Sequence, residues 1–328
     1  MFKNKKVLVA GGAGFVGANL IKRLLEYEAD ITATLYRKPV VIQNAKIRYI
    51  KCDLTNKQDC ERAVEGMDYV FMCAANTSGA LVIEKDPLAH VTPNIIMNTL
   101  MLEAVYKAKI KKFLWLSSNA VYPVTDYPVK EDEMMQGDLF DKYFCVGWMK
   151  RFTEILCQMY AQKIKNPMKI VVVRPANIYG PYDDFEWETA HVIPALIRKV
   201  VERHHPVEVW GDGNDIKDLI YIDDFIEGML LAMEKIHTFD PINIGTGRQS
   251  TIKDALKAIL TADNHTQAKV AFNNSKPTMI PMRLIDVSKA KRLLGFQAKI
   301  SLAEGIRRTV EWYKQYISGN KIKGGTRR

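Results

Sequence analysis

Three glycines spaced Gly11-x-x-Gly14-x-x-Gly17 follow the apolar run Val7–Ala10 and precede the helical period of Leu20, Leu24 and Leu25. Strand, tight glycine turn and helix start, in that order, make a place for a pyrophosphate. Backbone without side chains lets the phosphates come close, and the unpaired N–H groups and dipole of the helix start favour their charge. Gly11, Gly14 and Gly17, with Phe15 and Val16 in the first helical turn, are candidate contacts of a bound dinucleotide. The alternative is a glycine-rich turn that only connects. A second β-branched run, Asp30–Tyr36, ends in Arg37 and Lys38. That strand end faces the adenosine ribose in a dinucleotide fold, where an acid would hold a free 2′-hydroxyl and a base suits a 2′-phosphate. No acid stands at 35–38, which favours NADP, with NAD as the alternative. The other reading of the two bases is solvated charge in a turn. Asp53, ending a third strand (47–54) with Leu54, is placed to meet adenine. Ala74 and Ala75 close a buried fourth strand (67–75) and are small enough for a ligand to lie against them.

The elements around these residues alternate. Apolar runs at 113–118 and 169–173 read as strands, and helical periods cover 58–65, 94–107 and 146–163. Such alternation predicts an α/β fold with a Rossmann-like, doubly wound parallel sheet and right-handed crossovers. Ligands bind at the carboxyl ends of such strands, where Gly11–Gly17, Ala74–Asn76, Ser118 and Arg174–Asn177 all fall. Residues 1–180 are expected to form the dinucleotide-binding domain, with returning segments near 215–245. Residues 181–316 are mostly a smaller substrate-binding lobe with short helices at 192–201, 221–233 and 251–260, and 317–328 are a flexible basic tail.

The chain has 328 residues and a formal charge of +10. That charge suits an anionic ligand, and because Lys and Arg are spread along the whole sequence it does not argue for nucleic acid. No apolar run approaches the roughly 20 residues that span a bilayer. The basic start leads straight into the glycine turn, with too short an apolar stretch for a signal peptide. Five cysteines without CxxC pairing argue for reduced thiols, a cytoplasmic setting and no metal site.

Taken together, the sequence resembles the extended short-chain dehydrogenase/reductases, the NAD-dependent epimerase/dehydratase family. The resemblance rests on the glycine pattern, Cys52–Leu54, Ala74–Ala75, Ser117–Pro123 and Arg174–Pro181. It continues through Gly211–Gly213, Tyr221–Asp224, Asn243–Gly247 and Lys291–Phe296, and covers about residues 5 to 316. The segments 191–199 and 277–288, and Lys150 with Cys157 and Tyr160, are most similar to the GDP-fucose synthase subgroup. This implies a nucleotide-sugar substrate, weakly favouring a GDP-sugar, held by the C-terminal lobe beside a bound nicotinamide. It also implies a homodimer built on a four-helix bundle from 94–109 and 146–163.

The family's chemistry uses a hydroxyl, a tyrosine and a lysine four residues later, the ammonium lowering the phenol's pKa from about 10. Ser118 matches the hydroxyl and Lys150 the lysine, but Val146 stands where the tyrosine is expected. Tyr143 lies nearly on the same helical stripe, about 10 Å along the axis from Lys150. It can replace the phenol only if the helix begins after 143 and the preceding loop folds back; otherwise it is a packed or rim aromatic. His191 matches an epimerisation acid, or is only a helix-start or substrate-hydroxyl contact. Ala120 replaces the cysteine that partners it in that subgroup. Glu131, Asp132 and Glu133 read as a solvated rim, and Asp183, Asp184 and Glu186 as acids in reach of the sugar. Lys217 and Arg283 match diphosphate holders, Asn177 a contact to the nucleotide sugar, and Val192 a neighbour of His191.

The resulting expectation is a nucleotide-sugar epimerase, reductase or dehydratase with an atypical proton relay. Two readings compete with it: a binding or regulatory protein that keeps the cofactor fold without turnover, and an NADP-linked reductase of some other carbonyl.

Overall fold

The computed structural model describes residues 1–77, 82, 85, 86, 88–276 and 278–324. Six strands open the main sheet: β1 (Lys6–Ala10), β2 (Asp30–Leu35), β3 (Ile47–Lys51), β4 (Tyr69–Met72), β5 (Lys112–Leu116) and β6 (Ile170–Pro175). A seventh, Ile242–Ile244, pairs with β6. The spatial order is this seventh strand, then β6-β5-β4-β1-β2-β3, and every pair is parallel. The direction of winding reverses between β1 and β4, which opens a crevice at their carboxyl ends.

Strand geometry sends alternate side chains to opposite faces. Val7 and Val9 join one buried layer with Leu20, Ile21, Leu24, Phe71, Leu114, Val171 and Phe225. Leu8 and Ala10 join the other with Val70, Met72, Met101, Phe113, Trp115 and Val172. The first layer receives helix α1 (Phe15–Glu26) and, from late in the chain, the helix Ile222–Lys235. The second receives α2 (Lys57–Val64), α3 (Val91–Lys107) and α4 (Phe144–Gln162). Helix α3 starts three residues earlier than its sequence period suggests, because Pro93 falls in its first turn, where no intrahelical N–H is needed.

The smaller lobe holds the helices Val192–Val201 and Ile252–Ala262 and short sheets. Ile216–Lys217 lies between Ser250–Thr251 and Met282–Arg283 in one of them, and Val207–Trp210 pairs with Val270–Asn273 in another. Residues 216–217 thus belong to this lobe, and the chain rejoins the main body through Ile222–Lys235 and Ile242–Ile244. The last helix runs from Leu302 to Gly324, so the segment expected to be a loose tail from 317 is helical to 324; 325–328 lie outside the described residues. No described helix is long and apolar enough to cross a membrane.

Candidate active site

The glycine turn is folded tightly onto itself. Gly11 has φ +85°, and a Cβ there would lie 2.7 Å from the Ala74 Cα; a Cβ on Gly17 would lie 2.2 Å from the Gly11 carbonyl oxygen. The turn is tied to β2, with Gly12 N–H donating to the Thr34 carbonyl at 2.9 Å and Gly11 N–H to Thr34 Oγ1 at 2.8 Å. Phe15, Val16 and Gly17 open α1, where backbone N–H groups have no intrahelical acceptor, and that turn carries no acidic side chain. The turn therefore fits a pyrophosphate. At its adenosine end Arg37 and Lys38 are exposed, the Arg37 guanidinium 4.9 Å from the centre of the Tyr36 ring. Asp53 accepts from Thr55 Oγ1 at 2.6 Å and Thr55 N–H at 3.0 Å, bonds that hold its carboxyl below the usual range. Leu54 is turned into the core rather than the groove, while Ala74 and Ala75 line the end of β4.

Lys150 sits at the other end of the crevice. Its Nζ donates to the Leu116 carbonyl at 2.9 Å and lies 4.7 Å from the centre of the Trp115 ring. Burial pushes its pKa down to about 8, against the pull of Glu154 and Cys157. Ser118 Oγ accepts from Ala120 N–H at 3.1 Å, leaving its own O–H to donate. Helix α4 begins at Phe144, one residue past Tyr143, so one condition for Tyr143 to reach inward is met. Burial pushes Tyr143 up to about 12, and the charges it feels are Arg283 and Asp215. Its side chain is half-buried, with the Phe140 ring edge-on at 6.0 Å between centres.

Two cations of the smaller lobe's short sheet are buried. Lys217 is 7% exposed and Arg283 3%. Lys217 Nζ donates to the Ile280 carbonyl and has Asp215 Oδ2 at 3.6 Å. Arg283 donates to the Pro123 carbonyl at 2.8 Å and the Tyr122 carbonyl at 3.2 Å, and its buried Nε–H has no acceptor among the described residues. Arg283 has no carboxylate partner among the described residues. Asn177 also has a buried, unpartnered Oδ1. His191 caps the helix Val192–Val201 without a side-chain bond, and Val192 is exposed beside it. The His191 side chain is exposed at this helix start yet crowded by surrounding protein, a crowding that lowers its pKa against the pull of Asp184. Asp183 is raised to about 8 by burial, with Oδ2 unpartnered, in a loop whose Pro181 carbonyl accepts from Asn19 of α1 at 2.9 Å. Pro277, within a matching segment, lies outside the described residues.

The sequence reading missed a buried network that fixes the walls of the site. Glu154 accepts from Arg174 at 2.6 Å and from Ser117 Oγ at 2.5 Å. Arg174 also donates to Tyr122 Oη at 2.9 Å and the Glu131 carbonyl at 2.7 Å, and Tyr122 Oη donates to Asn243 Oδ1 at 2.5 Å. Glu131, expected on a solvated rim, instead takes the Asn243 N–H at 2.9 Å, and burial raises its carboxyl. Among the described residues no cluster of three or more His, Cys, Asp or Glu side chains could hold a metal.

Comparison with known proteins agrees with this geometry. GDP-L-fucose synthase of Escherichia coli is 29% identical, over 94% of this chain and 96% of that one. GDP-mannose 3,5-epimerase of Arabidopsis thaliana is 27% identical, over 98% and 85%. The UDP-glucuronic acid 4-epimerase of Bacillus cereus, solved with UDP-glucuronic acid and NAD, is 28% identical with a TM-score of 0.83, over 95% and 99%. Residues 7–245 match the NAD dependent epimerase/dehydratase family, and the chain belongs to it.

Proposed function

We propose that this chain is a nucleotide-sugar epimerase or reductase that takes a GDP-sugar and works with NADP in preference to NAD. The observation that carries the reading is the pair of buried cations, Arg283 and Lys217, with one carboxylate, Asp215, beside them. An ion held out of water without a partner costs several kcal/mol, so such a pair calls for an anion. A diphosphate supplies it. It would accept from the free Arg283 Nε–H, from Lys217 and from the protonated Tyr143. Asn177, His191 and Val192 stand where the sugar and nucleotide would follow. GDP is favoured because the GDP-sugar enzymes above align along nearly the whole chain. NADP is favoured by Arg37, Lys38 and the lack of an acid at 35–38.

A nicotinamide held by the glycine turn would accept and return hydride at a sugar carbon. This chain's residues must then move the proton without a phenol at 146. The Ser118 hydroxyl is free to bond the sugar oxygen. Lys150, held near 8, can release and regain a proton at working pH, which an ordinary lysine cannot. His191 offers an imidazole on the other side. The chain is further proposed to pair with a second copy through α4. Phe144, Trp148, Phe152, Ile155 and Met159 form one exposed apolar stripe there, each at least 40% accessible, with Ile96 exposed on α3.

The test is a thermal-shift screen of the NADP- and NAD-loaded protein with GDP-, UDP-, CDP- and dTDP-sugars, followed by product analysis. A shift specific to GDP-sugars, with conversion, is expected. Binding without conversion or hydride exchange supports the alternative of a binding protein, which Val146 favours. No shift with any sugar nucleotide overturns the reading.

A further inference from the structure

We propose that the end of the last helix, Leu302–Gly324, and the basic residues around it form a surface that docks on a bilayer of anionic phospholipids. The proposal stands apart from the sugar-nucleotide reading above, and it gives a use to the basic end of the chain, which that reading leaves idle.

The helix packs on the body through one stripe. Ile306, Val310 and Tyr313 are buried, and Ile317 packs against the same core. Steps of three and four residues carry that stripe on to Asn320 and Gly324, which offer nothing apolar to bury. Apolar packing therefore ends near Ile317, yet the helix continues to Gly324. It is tied to the smaller lobe at this level, Tyr313 Oη donating to Glu202 Oε1 at 2.8 Å.

The charge changes at the same place. Glu311 is the last acid in the sequence, and Lys314, Lys321, Lys323, Arg327 and Arg328 follow it. Arg327 and Arg328 lie outside the described residues and count here by charge. The acids that touch this stretch are engaged. Glu311 accepts from Arg307 at 2.5 Å, and Glu202 also accepts from Arg198 Nε at 3.1 Å. Asp263 is wholly buried between two cations, Lys314 Nζ at 2.5 Å and the Arg203 guanidinium, both of which stay partly exposed. One carboxylate for two cations leaves a positive excess on the body, beside the four charges of 321–328. Among these cations stands an aromatic residue: Tyr316 is 48% exposed, its ring stacked on Trp312 at 5.2 Å and 13°.

Cations alone would suit any polyanion. Their company here favours a headgroup layer. Tyr and Trp settle at the boundary of water and bilayer, and each Lys or Arg near an anionic surface raises partitioning about fivefold. On that scale the four cations of 321–328 together carry a few hundredfold. A single-stranded nucleic acid would need open ring faces for its bases, whereas Tyr316 and Trp312 already stack on each other. The attachment is peripheral, since no described helix is long and apolar enough to cross a membrane, and because it rests on charge it weakens with salt.

The test is co-sedimentation of the whole protein with vesicles of phosphatidylcholine, alone or mixed with phosphatidylglycerol, at about 0.1 M and about 0.5 M salt. Wild type is expected to sediment with the anionic vesicles at the lower salt, to be released at the higher, and to ignore the neutral vesicles. The combined variant Lys321→Gln, Lys323→Gln, Arg327→Gln and Arg328→Gln removes charge beyond the packed stripe. It should keep the wild-type melting temperature and lose about 100-fold or more in vesicle affinity. A wild-type protein that ignores anionic vesicles, or a glutamine variant that binds them as wild type does, overturns the proposal. Retention on a single-stranded DNA oligonucleotide as tight as on the vesicles also overturns it, by pointing to a nucleic-acid arm.

Discussion

Replacing Arg283 by methionine separates the anion-binding role from a structural one, because the two predict effects on different states. In the ligand-free protein the change removes donors to the Pro123 and Tyr122 carbonyls, at 2.8 and 3.2 Å. Losing those bonds costs about 1–3 kcal/mol each. It also removes a buried cation that has no carboxylate partner among the described residues, relieving a penalty of several kcal/mol. These effects oppose each other, so the ligand-free melting temperature should move little. The liganded state loses a charge-assisted bond to phosphate worth about 1.5–3 kcal/mol, which weakens GDP-sugar binding about 10- to 100-fold. At a ligand concentration of about 100 times the wild-type Kd, binding stabilises the fold by about 2.7 kcal/mol; a 100-fold loss reduces this to about 0.4 kcal/mol. Paired thermal melts with and without GDP-mannose, checked by calorimetry, measure both quantities. An Arg283→Met protein whose ligand-induced shift equals that of wild type would refute the diphosphate assignment.

Val146→Tyr should restore the usual relay and raise the rate of hydride transfer to a 4-keto sugar nucleotide by about 10²–10⁴; equal rates in stopped-flow assays would show that position 146 is not limiting. Gly17→Ala would force a methyl to within 2.2 Å of the Gly11 carbonyl oxygen, so dinucleotide binding, followed by NADPH fluorescence, should fall at least tenfold. Lys150 has a folded pKa near 8 against 10.5 unfolded, so between those values the unfolded chain binds more protons and stability rises with pH. Below pH 8 that gain is absent. Lys112 adds a rise in the same window, while the thiols of Cys60 and Cys73, pushed up to about 12 by burial, add a fall above pH 9, so the readout is a difference. In urea unfolding, the stability of wild type relative to Lys150→Met should grow between pH 8 and 10.5, and a constant difference would refute the depressed lysine. Phe152→Glu, on the exposed stripe of α4, should convert a dimer to monomers in light scattering; an unchanged mass in both proteins would remove that face from consideration.

The fold was legible where chemistry is local. Glycine spacing, β-branched runs and helical periods lie within about 20 residues of one another, and the strands and helices they mark are present with shifts of one to three residues. Residues joined across the chain were not legible. Glu131 looked solvated because its partner, the Asn243 backbone, is 112 residues away, and the same distance problem hides the Arg174–Tyr122–Asn243 chain. Tyr143 was visible as a candidate, but the charges that act on it, Arg283 and Asp215, stand 140 and 72 positions further along the chain. His90 carries no motif at all. Its Nε2 has no partner among the described residues, which only tertiary packing reveals.

The grip of Glu154 on Arg174 and Ser117 has a consequence for how this chain can have changed over time. Helix α4 is anchored to the sheet through its middle, at Glu154, and Lys150 is positioned from β5 through the Leu116 carbonyl. Neither anchor passes through position 146. A substitution there leaves the lysine and the helix where they are and alters only what faces the ligand. The scaffold therefore leaves position 146 open to change: valine and tyrosine can be exchanged there without passing through an unfolded ancestor.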